Sequence, residues 1–192
     1  MDYLPSAHGF IKGSDRLRKG RIFYRVRQFW QILTAVPGAQ ALTQANAALS
    51  PSLMNLFSRL QTGEQAHSLA IFHQLREQGE NNQDLLVAAL LHDVGKTRYP
   101  LQLWERVWVV LGKTFWPERA REWGQSEPCG WKKAFVVSER HAAWGAEMAA
   151  QAGASALAVS LIRFHHDRGK VNHPGSSEDQ LLYRLQRLDS ES

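Results

Sequence analysis

The chain has 192 residues, 44% of them hydrophobic and 21% charged, which is an ordinary composition for a soluble globular protein. The longest candidate for an apolar span, 101–112, is interrupted by Glu105 and Arg106. No run therefore reaches the roughly 18 apolar residues of a membrane span, and the sequence predicts no transmembrane segment. The single cysteine, Cys129, excludes an internal disulfide. Because no apolar signal sequence follows Met1, we expect a cytoplasmic protein.

The net charge of +5 comes mainly from the first part of the chain. A cluster of basic residues there could contact anionic lipid or nucleic acid, or it could form a solvated basic face. A phosphorylated substrate would also suit a basic protein, so the charge alone does not choose between these classes. The cluster comprises Lys12, Arg16, Arg18, Lys19, Arg21, Arg25 and Arg27.

Apolar residues recur with helical periodicity almost throughout, which predicts an all-α fold. We divide the chain into a basic, helical N-terminal extension over 1–49 and one domain over 50–192. The segment 113–133, rich in Trp, Pro and Gly, is predicted to be irregular. Helices are predicted over 21–35, 42–49, 50–60, 62–78, 84–94, 101–111, 138–152, 156–166 and 177–189.

The helix predicted over 84–94 is almost wholly apolar and is expected to lie at the domain centre. It ends in His92 and Asp93, two side chains that can bind metal, followed by Gly95 and Lys96. A buried carboxylate without a partner costs several kcal/mol, so it is normally paired or bound to metal. Taken alone, however, His92 could equally be a hydrogen-bonded core histidine and Asp93 a helix-end residue.

Further candidate ligands favour a metal site, because helices of a bundle commonly bring imidazoles and carboxylates together. Nitrogen and oxygen donors without thiolates favour a divalent ion such as Fe, Mn, Zn, Co or Mg. We interpret His73 as a surface residue, and we expect no role for His8 or His173. The further candidates lie on neighbouring predicted helices and are His67, His141, His165, His166 and Asp189.

In this arrangement the sequence resembles the HD superfamily of metal-dependent phosphohydrolases. The resemblance extends over about 50–189 and rests on five segments. They are EQAHSLAIF with His67, LLHDVGK with His92 and Asp93, ERHAAWGAEMA with His141, LIRFHHD with His165 and His166, and LLYRLQRLD with Asp189. The absence of a GYP triplet after LLHDVGK argues against the cyclic-di-GMP hydrolysis of HD-GYP proteins. Lys96 also stands where some HD nucleotidases carry glutamate.

The resemblance implies an HD-type helical bundle and hydrolysis of phosphate esters or anhydrides, with a nucleotide-like substrate. A first metal would be held by His67, His92, Asp93 and Asp189, with Asp93 bridging to a second metal on His141, His165 and possibly His166. Such ions lower the pKa of water from about 15.7 to about 7 and so supply a hydroxide. Lys96 would bind a phosphate oxygen, although it could be only a helix-end lysine. Arg168 is expected to line the pocket.

Three hypotheses about function remain open at this stage. The chain could be a phosphohydrolase, a non-catalytic HD module that binds metal or nucleotide, or a partner of membranes or nucleic acids through the basic N-terminal helix. The complete ligand set favours the first over the second, and the third could coexist with either. We expect Trp104 and Trp108 to pack in the core or a lid, with stacking on a nucleobase as an alternative.

Overall fold

A computed structural model of the chain describes residues 37–167, 169 and 175–191. Over this part of the chain the fold is all-helical, which confirms the predicted fold class. The predicted helix over 21–35, Arg168, His8 and His173 lie outside the described residues. The α-helices are α1 (Ala39–Ala48), α2 (Pro51–Ser58), α3 (Thr62–Glu77), α4 (Gln83–Leu91), α5 (Leu103–Phe115), α6 (Pro117–Gly124), α7 (Lys133–Gln151), α8 (Ala156–Phe164) and α9 (Ser177–Glu191), with short 3-10 helices at Val94–Arg98 and Gly130–Lys132.

Several helices begin where a polar side chain caps the first free backbone amides. The Asn82 side chain accepts a hydrogen bond from the amide of Leu85 at 3.0 Å, and the Ser155 hydroxyl accepts one from Ala158 at 3.0 Å. At the start of α3 the capping box pairs Gln61 with Glu64. Such caps are worth about 1 kcal/mol each, and they fix the first turns of the helices.

Helix α4 lies at the centre of the main core, as the sequence predicts. All seven residues from 85 to 91 are buried. Burying each leucine side chain contributes roughly 1.5–3 kcal/mol, which holds the helix and its C-terminal end in place. The other helices supply the surrounding core residues, including Phe57, Ile71, Leu75, Ala146, Ala149, Leu161, Ile162, Leu182, Leu185 and Leu188.

The segment 113–133 is more regular than predicted. Residues Pro117–Gly124 form helix α6, with proline at the first helical position, where the missing amide hydrogen costs nothing. Helix α7 begins at Lys133, five residues before the predicted start at Ser138, because Phe135, Val136 and Val137 are already buried in it.

A smaller apolar cluster joins α5, α6 and α7. Its buried members are Val109, Ala120, Ala134 and Phe135. Trp108 packs against this cluster, but the side chain of Trp104 is 60% exposed. Trp104 therefore does not pack in the core, whereas the lid and the stacking on a nucleobase stay predictions. No helix in the described ranges has both the length and the apolar character needed to cross a membrane.

Two glycines allow the 3-10 turn after α4 to pack directly on α7. A Cβ atom on Gly95 would lie 1.9 Å from the carbonyl oxygen of His141 and 2.6 Å from the amide nitrogen of Gly145. A Cβ atom on Gly145 would in turn lie 3.1 Å from the amide nitrogen of Gly95. The backbones therefore meet without intervening side chains, and this contact brings Asp93 beside His141.

Candidate metal centre

The centre of the site is formed by the C-terminal end of α4. The helix ends at Leu91, three residues earlier than predicted, and His92 is its C-cap. Asp93 follows in the connection to the 3-10 turn. The His92 side chain is fully buried and that of Asp93 is 5% exposed. The side chains of His92 and Asp93 have fixed directions, because α4 is buried in the core and the 3-10 turn after them packs against α7.

Three buried histidines share the same local geometry. The Nδ1–H of His92 donates to the carbonyl of Ala89 at 2.9 Å, that of His141 to Val137 at 3.0 Å, and that of His165 to Ile162 at 2.7 Å. Each imidazole is thus held by its own helix with Nδ1 protonated. A backbone acceptor on one ring nitrogen is the usual arrangement of a histidine whose other nitrogen binds metal.

The opposite ring nitrogens of these histidines converge on Asp93. The Nε2 atom of His92 lies 3.6 Å from Oδ2 of Asp93, whereas Nε2 of His141 lies 3.4 Å and Nε2 of His165 4.0 Å from Oδ1. None of the three Nε2 atoms has a hydrogen-bond partner among the residues that the structure describes. A buried polar atom left unpaired costs roughly 1–3 kcal/mol, so three in one cluster indicate a ligand.

His67 and Asp189 close the site from α3 and α9. The Nε2 atom of His67 lies 3.0 Å from Oδ1 of Asp189, at hydrogen-bond distance. The same carboxylate oxygen lies 3.5 Å from Nε2 of His92. The last helix of the described chain therefore places a second carboxylate beside the α4 cluster, at the position where the sequence predicts a ligand.

His166 completes the set on the exposed side. Its ring centroid lies 4.7 Å from that of His141 and 4.4 Å from that of His165. Three overlapping groups have donor atoms all within 4.8 Å of one another. They are Asp93 with His141, His165 and His166; His67 with His92 and Asp93; and His92 with His165 and Asp189. All seven predicted ligands thus lie together.

The charges in the site are strongly coupled. Burial by itself would lower the pKa of His92, but the carboxylates of Asp93 and Asp189 raise it to about 9. Burial opposes ionisation of Asp93, yet Lys96 and the neighbouring histidines hold its pKa well below the usual value. Burial and the adjacent imidazoles keep the pKa of His165 well below its usual value, which leaves the lone pair on Nε2 available for a metal.

Lys96 lies at the rim of the site with its ammonium on Asp93. The Nζ atom is 2.6 Å from Oδ2 of Asp93, and the side chain is 28% exposed. Burial would lower the pKa of Lys96, but the carboxylates of Asp93 and Glu64 raise it, so the cation is retained. Its role toward a substrate stays a prediction. The same holds for Arg168, which is not among the described residues.

A buried ion pair next to the site was not predicted from the sequence. The Arg106 guanidinium donates to Glu64 at 2.7 Å, and Glu64 also accepts a hydrogen bond from the amide of Gln61 at 3.1 Å. Against the effect of burial, the Glu64 carboxylate acts with Asp93 to raise the pKa of Lys96. The spacing of Gln61 and Glu64 is a local sequence signal for the bond between these two residues. No local sequence pattern predicts the pair of Glu64 with Arg106, because the two residues are 42 positions apart.

The donor set fits a divalent metal ion. It combines imidazole nitrogens and carboxylate oxygens without thiolates, which suits Fe, Mn, Zn, Co or Mg. The ring orientations are set by backbone carbonyls, and the unpaired Nε2 atoms point at the two carboxylates. These residues could hold one or two metal ions with little rearrangement of the side chains.

A family model described as HD domain matches residues 60–191. The chain belongs to the HD-domain family. This confirms the resemblance inferred from the histidine pattern, and it places the HD domain in a superfamily of metal-dependent hydrolases. The comparison with curated proteins and the comparison with solved structures each found no match to the chain.

Proposed function

We propose that this HD domain is a metal-dependent phosphohydrolase that cleaves a phosphate ester or anhydride of a nucleotide-like small molecule. The observation that carries the proposal is the buried cluster of unpaired imidazole nitrogens around Asp93. When bound, a divalent ion would act as a Lewis acid on the phosphate and lower the pKa of an attacking water. The chain itself supplies the ligands, the orientation and a nearby cation.

We also propose that the site takes two ions. The two carboxylate oxygens of Asp93 face different histidines, with Oδ2 toward His92 and Oδ1 toward His141 and His165. A carboxylate in that position can bridge two metals. His67, His92, Asp93 and Asp189 would hold one ion, and Asp93, His141, His165 and His166 would hold the other.

The residues at the rim would bind and orient the substrate. The ammonium of Lys96 is partly exposed and would contact a non-bridging phosphate oxygen, where it opposes the negative charge that the phosphate carries. His166 is also exposed, whereas the floor of the site is formed by the buried residues His92, Asp93, His141 and His165. A substrate would therefore approach from the side of Lys96 and His166. Arg168 is proposed as a further phosphate contact.

The test combines elemental analysis with hydrolysis assays. Protein purified after growth with added Mn or Fe should contain metal and should hydrolyse p-nitrophenyl phosphate or bis-p-nitrophenyl phosphate, with a panel of nucleotides then defining the substrate. His92→Ala and Asp93→Ala should each lose metal and activity, because both remove donors from the buried centre. His73→Ala is the matched control, since His73 lies on α3 outside the cluster.

Two results would contradict the proposal in different ways. Metal content that is unchanged in both His92→Ala and Asp93→Ala would show that these residues are not ligands. A folded, fully metal-loaded protein that hydrolyses none of the substrates but binds a nucleotide would support the alternative, a non-catalytic HD module. The predicted cytoplasmic location and the domain division at residue 49 are separate from this test and stay predictions.

A further inference from the structure

Helix α5 has an unusual outward face. Glu105, Val109 and Gly112 are its buried residues and face the rest of the domain. At 100° per residue, the opposite side of the helix should carry the polar residues of a surface helix. It instead carries apolar side chains along its whole length, namely Leu103, Trp104, Val107, Val110, Leu111 and Phe115, with Trp116 following at the C-cap.

These side chains are unusually exposed for their size. Trp104 is 60% exposed, Phe115 57% and Trp116 51%, and Leu103, Val110 and Leu111 are each about 40% exposed. Large aromatic side chains thus stand at both ends of the helix, with aliphatic ones between them. A contiguous apolar surface of this kind marks a contact with a membrane or a partner rather than a solvated face.

The polar groups of α5 are placed so that they do not interrupt this face. The Thr114 hydroxyl donates to the carbonyl of Val110 at 2.7 Å, so it is satisfied within the helix. Glu105, the one acidic residue of the helix, is buried and pairs with Lys133 at 2.9 Å. Arg106 is held by Glu64 at 2.7 Å. Lys113 is exposed beside Glu139 of α7 and lies outside the apolar face, so no unpaired charge of α5 interrupts that face.

We propose that the α5 face, defined by Leu103, Trp104, Val107, Val110, Leu111, Phe115 and Trp116, binds the surface of an anionic lipid bilayer. The helix would lie in the plane of the interface with its aromatic side chains at headgroup level. This inference is independent of the proposed hydrolase function, because none of these residues belongs to the metal centre.

Charge complementarity favours lipid over a second copy of the chain. Seven basic and only two acidic residues precede Pro37, so the whole net charge of +5 lies in the segment that leads into α1. Two copies would bring like charges together, which opposes self-association. An anionic bilayer would attract the same charges, at roughly 1 kcal/mol for each basic residue near its surface. The face and the charge therefore indicate the same partner.

The experiment is flotation of the full chain with vesicles of phosphatidylcholine containing roughly one-third phosphatidylglycerol. The double variant Trp104→Gln, Phe115→Gln should bind these vesicles roughly tenfold or more weakly than the wild type, since it removes most of the exposed aromatic surface. Tyr183→Gln is the matched control, because Tyr183 is 48% exposed on α9 and lies outside the face. It should bind as the wild type does.

Folding of the variants is checked by circular dichroism and by metal content, neither of which depends on activity. If the double variant binds the vesicles as tightly as the wild type does, the proposal is overturned. Equal binding to pure phosphatidylcholine would overturn the preference for anionic lipid. Sedimentation without lipid provides a third test: a dimeric wild type beside a monomeric double variant would show that the face is a contact between two copies instead.

Discussion

Replacing Gly95 by alanine should disturb both the stability and the metal centre of this HD domain. The added Cβ would lie 1.9 Å from the carbonyl oxygen of His141, 2.8 Å from its carbonyl carbon and 2.6 Å from the amide nitrogen of Gly145. All three are backbone atoms of α7, so no side chain can rotate away. The turn must withdraw from α7 by about 1.5 Å to restore an ordinary contact.

The expected cost follows from that displacement. Overpacking a dense interior costs about 1–3 kcal/mol, and a clash with rigid backbone belongs at the upper end. At about 2–4 °C per kcal/mol for a chain of this size, the melting temperature should fall by roughly 6–12 °C. Metal binding should weaken as well, because ligand distances tolerate deviations of only about 0.2 Å and Asp93 moves with the turn.

Thermal unfolding by circular dichroism and elemental analysis of the purified variants measure the two effects. A graded series provides the control. Gly145→Ala should be milder, since its nearest contact would be 3.1 Å, and Gly175→Ala should be close to neutral because no atom lies within 4 Å. A Gly95→Ala protein that melts within about 1 °C of the wild type and keeps its full metal content would refute this reasoning.

Three further predictions concern the site and the fold. Lys96→Ala should keep its metal yet lose roughly tenfold to a hundredfold in turnover, because its proposed partner is the substrate; unchanged turnover in a hydrolysis assay would make it only a helix-end lysine. The double variant His141→Ala, His165→Ala should fold, hold about one metal by elemental analysis where the wild type holds about two, and lose activity; a wild type that is fully active with one metal would contradict this. Glu80→Gln should destabilise the domain by about 1 kcal/mol at pH 7, because the carboxylate accepts hydrogen bonds from the amides of the loop before α4 and pairs with Arg184. The hydrogen bonds from the loop amides, above all that of Asn82, outweigh burial and lower the pKa of Glu80. The stabilisation by Glu80 is therefore complete above pH 4.5 and is lost as the pH falls through the lower pKa of the folded state. A difference in the free energy of unfolding between wild type and variant that stays constant from pH 7 down to pH 3 in urea unfolding would exclude this explanation.

The site was largely predictable because its ligands lie at recognisable places in amphipathic or buried helices. His92 and Asp93 follow a run of seven buried residues, and a histidine on the preceding helix completes the familiar pattern. The approach of Asp93 to His141, by contrast, depends on the contact between Gly95 and Gly145, which are 50 residues apart in the sequence. A glycine after Asp93 could equally be read as a helix stop.

The errors in the helix boundaries have two physical origins. The segment 113–133 is predicted to be irregular, although Pro117 occupies a first helical position and begins α6. A helix is predicted from Ser138, but the burial of Phe135 and Val136 extends α7 back to Lys133. The first error misses a local signal, whereas in the second tertiary packing lengthens the helix. The exposure of Trp104 could not have been foreseen either, because an apolar helix face does not show what covers it.

The bond between His67 and Asp189 spans 122 positions of the sequence. A ribosome adds residues from the N-terminal side at about 5–20 per second, so the ligands emerge one after another over several seconds. During that time His67, His92, Asp93 and His141 are already available while the second carboxylate is still missing. A metal ion met by the nascent chain could bind only a partial set of donors. With the proposed ligand set, final loading would wait until Asp189 has been synthesised and α9 has docked against α3.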